Sequence, residues 1–299
     1  MPVSALPRSG LLPALALMFN ALVWGTSWWP LRQFEQQGLH PLWTTLLVYS
    51  LSVLVIVAVK PAAFMQVLRT PSLWVLLFAA GTTNAAFNWA VVIGDVVRVV
   101  LLFYLMPLWA VLLARLLLGE ALTRSALMRA GLALAGAAVV LWPDNAAGTG
   151  GWPVPSSLAD WLGVLGGLSF ALNNVMLRRE SHRPEEGRAL AMFLGGAIVA
   201  GLLGLGLAHQ GAIPAPVMLG ANVWPWALAL ALLFLIGNLA LQYGAAHLRA
   251  NVTAVIMLTE VVFASVSALA LGGGVLTLRL FLGGAMILLA AALSSLEPG

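Results

Sequence analysis

Ten long apolar stretches constrain the fold of this chain more than any other feature. They lie at 11–31, 42–60, 73–92, 96–117, 125–142, 158–177, 189–208, 223–243, 251–271 and 276–295. Each is long enough to cross about 30 Å of hydrocarbon as a helix. The chain is 62% apolar and 8% charged, whereas soluble domains average roughly 45–50% and about 25%. Because a soluble fold could not bury so much apolar surface, the sequence predicts an all-α integral membrane protein with ten transmembrane helices.

The chain also contains an internal repeat. Residues 84–123 recur without a gap 154 positions later, so that Asn84 corresponds to Asn238, and a weaker match offset by 146 aligns Trp24 with Phe170. The repeat divides the chain into units 1–150 and 151–299, joined by a Gly- and Pro-rich segment at 143–157. An odd number of five spans per unit would place the second unit upside down. Two inverted five-helix repeats around a central cavity are typical of secondary transporters.

The distribution of basic residues predicts the orientation. With the N-terminus inside, eleven Lys and Arg residues fall on the inner side, whereas Arg32, Arg98 and Arg279 fall on the outer side. Cytoplasmic segments carry such an excess, so both termini are predicted to be cytoplasmic.

The sequence lacks the motifs and charge patterns that are typical of enzymes, metal sites and nucleic-acid-binding proteins. There is no cysteine, and the four histidines lie at span ends or in loops. Neither a nucleophile elbow, a His-Glu-x-x-His motif nor a phosphate-binding loop is present. The net charge of +4 comes from few, scattered residues, which is not a nucleic-acid footprint. We therefore expect no catalytic residues, metal, cofactor, nucleic-acid partner or obligate protein partner. An intramembrane enzyme and a membrane scaffold or sensor are the alternatives from other classes.

Amides occur in the middle of predicted spans, where polar groups need a partner or a purpose. Asn84 and Asn88 share one face of span three, and Asn238 and Gln242 recur at the equivalent positions of span eight. This symmetry favours side chains that line a cavity and bind a polar solute. Hydrogen bonding between packed helices is the alternative reading. Asn173 and Asn174 of span six join the set, although adjacent residues point about 100° apart, so that one could face a packed neighbour.

Glu260 carries the only carboxyl group near the centre of a predicted span. It could carry a proton, balance the ammonium group of a substrate, or bond to a neighbouring helix as a protonated acid. Its equivalent in the first unit is Met106, so its role is not repeated.

Three residues of span one share a face: Asn20, Trp24 and Trp28. Tryptophan rings beside an amide could stack on a flat solute and orient its polar end, although plain helix packing is the alternative. In span four, Pro107 removes the hydrogen bond to the Phe103 carbonyl and predicts a kink, which could act as a gate or only shape the helix. Tyr104 places a hydroxyl in the same region.

Short motifs in these spans resemble the drug/metabolite transporter superfamily in its ten-helix, EamA-type form. The segment 116–123, Leu-Leu-Leu-Gly-Glu-Ala-Leu-Thr, is similar to the end of the family's fourth helix, and Trp24-Gly25 is similar to a pair in its first helix. The stretches 49–52, 104–107 and 251–253 are closest to YddG-type exporters of aromatic amino acids. The second unit departs from the pattern, because 270–274 reads Ala-Leu-Gly-Gly-Gly and Val261 stands where a proline often occurs. The resemblance therefore does not predict a bend in span nine.

The resemblance implies export of aromatic and other neutral amino acids, and of some drug-like compounds, across the bacterial inner membrane. The partners would be a small-molecule substrate, an amino acid, and the lipid bilayer. The substrate-binding set, to which the resemblance adds Tyr49, is Asn20, Trp24, Trp28, Tyr49, Asn84, Asn88, Tyr104, Asn173, Asn174, Asn238, Gln242 and Glu260, with Pro107 as the gating residue. Nucleotide sugars, lipid intermediates and cationic drugs are rival solutes. A phosphorylated solute would require Lys or Arg at mid-span, where none occurs.

Overall fold

The computed structural model describes residues 8–118, 123–142, 153–216, 220–248 and 250–295. Within these residues every regular element is an α-helix. The helices are α1 (Arg8–Thr26), α2 (Trp28–Gln36), α3 (Pro41–Val59), α4 (Ala62–Arg69), α5 (Pro71–Ile93), α6 (Val96–Phe103), α7 (Met106–Leu118), α8 (Arg124–Leu141), α9 (Leu158–Arg179), α10 (Glu185–His209), α11 (Val223–His247), α12 (Ala250–Met257), α13 (Thr259–Leu271) and α14 (Leu278–Ser295).

Each apolar stretch of the sequence is covered by one helix or by two helices in line. Seven helical stretches of the described residues are long and apolar enough to cross a membrane: Leu11–Gln36, Pro41–Val59, Pro71–Ile93, Val96–Leu117, Arg124–Leu141, Glu185–His209 and Val223–Gly244. Thr259–Leu271 and Leu278–Leu293 are apolar but shorter. Many large apolar side chains along these helices are exposed, as expected for surfaces in contact with lipid. The chain is thus an all-helical protein of the membrane type.

Span four is interrupted where the proline predicts a kink. Helix α6 ends at Phe103 and α7 begins at Met106. The side chain of Pro107 lies outside the described residues. Pro107 cannot donate to the carbonyl of Phe103, and a Cβ at Gly167 of α9 would clash with that carbonyl oxygen. A glycine is therefore required for this close approach of α9 to the break.

A second interruption occurs in span nine, where the sequence predicts none. Helix α12 ends at Met257 and α13 begins at Thr259, so the break falls at Leu258, the repeat equivalent of Tyr104. The Thr259 hydroxyl donates to the Ile256 carbonyl over 2.6 Å, and the Tyr104 hydroxyl lies 3.1 Å from the Met257 carbonyl. Such side-chain donors satisfy the carbonyls that a broken helix exposes, so the bend does not need a proline.

The two halves pack on each other, and contacts between helices of the two halves are matched by contacts between their repeat counterparts. Helix α5 packs against α9 and α10, and its counterpart α11 packs against α1 and α3. Likewise α1 contacts α13, and α9 contacts α6 and α7. Helix α8 pairs with its own counterpart α14. The helices of one half therefore contribute to the core of the other.

Glycines allow the closest of these contacts. A Cβ at Gly136 of α8 would lie 2.7 Å from the carbonyl oxygen of Gly283 in α14, and a Cβ at Gly283 would lie 2.7 Å from the carbonyl oxygen of Gly136. Because each glycine faces the other's backbone, the two helices meet symmetrically, as small residues permit in membrane proteins.

Charged side chains join several helix ends on the side predicted to be outer. Arg98 donates from Nε to Asp160 Oδ1 over 2.7 Å, from Nη2 to Asp160 Oδ2 over 3.0 Å, and from Nη1 to the Val140 carbonyl over 2.9 Å. Asp95 accepts from the backbone N–H of Val275 over 2.9 Å. These bonds connect the ends of α6, α8 and α9 with one another, and connect α6 with the segment between α13 and α14.

Candidate binding cavity

A cavity of about 90 Å³ lies between helices of both halves. The described residues that line it are Asn20, Trp24, Tyr49, Ala80, Thr83, Asn84, Phe87, Phe103, Phe170, Asn173, Met192, Phe193, Asn238, Leu241, Met257 and Glu260. They come from α1, α3, α5, α6, α9, α10, α11, α12 and α13. Most are aromatic or aliphatic, and a few polar groups lie among them, as in most small-molecule sites.

The lining follows the internal repeat of the sequence. Four pairs of repeat-equivalent positions contribute both members: Trp24 with Phe170, Asn84 with Asn238, Phe87 with Leu241 and Phe103 with Met257. Both members of each pair therefore contribute to one cavity, which lies between the two halves of the chain.

Seven of the residues predicted from the sequence line the cavity together: Asn20, Trp24, Tyr49, Asn84, Asn173, Asn238 and Glu260. Tyr49 donates its hydroxyl proton to Asn84 Oδ1 over 2.7 Å, and Asn84 Nδ2 donates to the Ala80 carbonyl over 2.8 Å. These bonds hold the α3 and α5 side of the cavity in place.

The predicted amide pairs divide between cavity and packing. Asn88 is buried away from the lining, where its Nδ2 donates to Thr45 Oγ1 of α3 over 3.1 Å. Gln242 donates from Nε2 to Asn238 Oδ1 over 2.7 Å and so reaches the cavity only through its neighbour. The described lining includes Asn84 and Asn238 but neither Asn88 nor Gln242, each of which lies one turn further along its helix.

Trp28 and Asn174 also lie elsewhere. Trp28 is buried, donates from Nε1 to Ser267 Oγ over 2.9 Å, and has the Arg32 guanidinium 4.9 Å from its ring centre. Asn174 is exposed on the surface of α9, while Asn173 faces inward. Adjacent residues of a helix point about 100° apart, which explains why Asn173 faces inward and Asn174 does not.

Tyr104 lies behind the cavity wall and positions Glu260. Its hydroxyl lies 3.1 Å from Glu260 Oε2 and 3.1 Å from the Met257 carbonyl oxygen. Glu260 is buried in the first turn of α13, where the N–H groups of a helix favour a negative charge. The break between α12 and α13 thus places a carboxyl at the cavity.

The sequence did not predict most of the aromatic side chains at the cavity surface or directly behind it. Trp24 stacks on Phe234, with ring centres 4.7 Å apart and planes 16° apart. Phe103 lies 4.8 Å from Phe87 and 5.2 Å from Phe170 between ring centres. A phenylalanine in an apolar span gives no signal by itself. The repeat could have identified Phe170, because it is the equivalent of Trp24.

Comparisons with known proteins bear on the first half of the chain and on the fold. Residues 11–142 match the model described as the EamA-like transporter family. The first half contains an EamA-like domain. The match covers α1 to α8 almost completely and is a similarity of the first half of the chain to that family. The segment 119–122, which carries part of the family motif, lies outside the described residues.

A likeness of fold extends beyond the matched half. A solved structure titled "Crystal structure of protein" resembles the chain with a TM-score of 0.57 and 22% identity, over 94% of this chain and 95% of that chain. At this identity the likeness shows a shared fold, and it includes both halves. No curated protein matches the chain.

Proposed function

We propose that the protein is a secondary transporter that exports aromatic and other neutral amino acids across the bacterial inner membrane by alternating access. One observation carries the proposal above all others. The central cavity repeats its lining in both halves and combines aromatic rings with amides and one carboxyl. Rings such as Trp24 supply flat contact area, while Asn84, Asn238 and Glu260 orient the polar end of a solute.

The proposed architecture has ten spans in two inverted units, 1–150 and 151–299, with both termini in the cytoplasm. Two observations support a twofold relation between the units. Helix contacts are matched by contacts between the repeat counterparts, and Gly136 and Gly283 face each other's backbone. The excess of Lys and Arg on one side supports the orientation. Helix α9 is less apolar, and we expect it to cross because it packs against α5, α6 and α7.

The proposed transport cycle uses the two broken helices. Substrate binds at mid-membrane, where discontinuous helices meet in transporters of this type. The break before Pro107 and the break at Leu258 would act as hinges. The Arg98–Asp160 ion pair joins α6 and α9 at the proposed outer end, and we expect these groups to separate when the solute is released to the outside.

Flux measurements in liposomes test the proposal. We expect the reconstituted protein to transport labelled tryptophan, and Glu260→Gln to alter the rate or its response to a pH gradient. Flux unchanged by both the gradient and the substitution would exclude a proton-carrier role for Glu260. Absence of tryptophan flux together with strong flux of a phosphorylated solute would overturn the amino acid assignment.

A cationic aromatic drug is the second candidate substrate. One carboxyl stands among aromatic rings, and the described lining contains neither Lys nor Arg. Such a cavity attracts an organic cation through both the carboxylate and the ring faces. Competition between labelled tryptophan and a cationic dye in the same liposomes would separate the two candidates, because a dye that is carried without inhibition by tryptophan favours the drug.

A further inference from the structure

Two buried carbonyl oxygens of the cavity lining lack a hydrogen-bond donor. Asn20 is 0% exposed and donates from Nδ2 to the Gly237 carbonyl over 2.8 Å, which fixes the orientation of its amide. Its Oδ1 has no partner among the described residues. Asn173, 1% exposed, likewise has an Oδ1 without a partner there. Leaving a buried acceptor unpaired is unfavourable, so at a cavity wall these two atoms favour a solute that supplies donors.

The hydroxyl donors of the cavity lining are directed at protein acceptors. The Tyr49 hydroxyl donates to Asn84, and the Thr83 hydroxyl donates to the Ala79 carbonyl over 2.8 Å. Asn238 Oδ1 already accepts from Gln242. The acceptors left for a solute are therefore the Glu260 carboxyl and the two asparagine carbonyls.

We propose that the cavity recognises the primary ammonium group of its solute through three acceptors, Asn20 Oδ1, Asn173 Oδ1 and the Glu260 carboxyl, and this proposal rests on the transport function proposed above. A primary ammonium carries three N–H donors, one for each acceptor. The rings of Trp24 and Phe170 would hold the apolar part of the solute and add cation–π attraction. Asn20 and Asn173 come from opposite halves, so the ammonium would be held at the axis between them.

The proposal predicts selectivity against solutes without N–H groups. A quaternary ammonium keeps the charge but cannot donate, so the two asparagine carbonyls would stay unpaired. Sites built to hydrogen-bond a donor reject analogues that lack it far more strongly than apolar pockets reject a changed size. We expect tryptamine to bind the full-length protein in detergent at least about tenfold more tightly than N,N,N-trimethyltryptammonium or 3-indolepropionate.

Asn173→Leu and Asn174→Leu form a matched pair of variants. Leucine replaces the amide of Asn173 with a side chain of similar shape and removes an unpaired buried acceptor. We therefore expect Asn173→Leu to raise the melting temperature while it weakens tryptamine binding about tenfold. Asn174 is exposed on the surface of the same helix, so Asn174→Leu should leave tryptamine affinity unchanged.

Equilibrium titration of the three indole compounds, by calorimetry, decides the question. Equal affinities for all three, or unchanged affinity in Asn173→Leu, would overturn the ammonium site and leave the transport proposal standing. Selective tryptamine binding without tryptophan or tryptamine flux in liposomes would support the site and overturn transport of these solutes. Absence of binding by all three would overturn the ammonium site, while tryptophan flux in liposomes would still decide the transport proposal.

Discussion

Trp24 and Trp28, four residues apart, have different surroundings. Trp24 stacks on Phe234 and lines the cavity, whereas Trp28 is bonded to Ser267 away from it. The difference arises because Trp28 lies one turn further along the helical stretch Leu11–Gln36, where it meets Ser267 instead of the cavity.

We expect Trp24→Ala to raise the half-saturation concentration for the transported solute about 2- to 12-fold, because an aromatic contact contributes about 0.5–1.5 kcal/mol. Trp28→Phe should lower the melting temperature, through loss of the bond to Ser267, and leave half-saturation unchanged. Concentration-dependent flux in liposomes measures the first effect. Equal shifts in half-saturation for both variants would contradict these roles.

Glu180 follows α9, in the loop predicted to be cytoplasmic, and is paired with Arg183. Burial alone would raise the pKa of its carboxyl, but Arg183, together with Ser72 and His182, outweighs this effect, so the pKa lies below the ordinary value of 4.5. A lowered pKa in the folded state stabilises the protein above the ordinary pKa, and this contribution is lost as pH falls through the folded-state pKa.

Glu180→Gln should accordingly lower the melting temperature at pH 7, and the difference from the wild type should shrink as the pH falls below 4.5. Thermal unfolding in detergent across this pH range measures it. A difference that stays constant with pH would show that the charge of Glu180 does not contribute.

Among the elements, the pair α8 and α14 depends on a close backbone contact. Gly136 faces Gly283 there, while a Cβ at Gly131 of the same helix would meet nothing within 4 Å. We expect Gly136→Ala to destabilise the protein by about 1–3 kcal/mol through overpacking. Gly131→Ala, the matched control, should be neutral or stabilise by up to about 1 kcal/mol, because alanine favours the helix. Melting temperatures in detergent test this, and a stabilising Gly136→Ala would contradict the contact.

The sequence predicted the positions of the long helices well, since apolar length is a local property. The stretch 73–92, for example, becomes Pro71–Ile93, and the short connector at Gly94-Asp95 separates α5 from α6. It did not predict α4, nor the break at Leu258. That break depends on Thr259 and on Tyr104, which is distant in the sequence, and so requires knowledge of the tertiary contacts.

For the whole molecule, the absence of cysteine allows a direct test of orientation. Gln37 and Gln210 are exposed on predicted outer loops, and Ser181 is exposed on a predicted inner loop. In intact cells a membrane-impermeant maleimide should label Gln37→Cys and Gln210→Cys. Ser181→Cys should react only after permeabilisation. Labelling of Ser181→Cys from outside would contradict the inverted arrangement with cytoplasmic termini.

The sequence alone determined the helical membrane class, the positions of the long helices and the internal repeat, because these follow from composition and from spacing along the chain. It also identified amides and a carboxyl that do not suit lipid. Only the tertiary structure decided which of them share the cavity. Asn173 faces inward and Asn174 outward, and Asn84 lines the cavity while Asn88 bonds to Thr45. The rotation of each helix about its axis is set by packing against distant segments, and residue spacing within one helix does not contain that information.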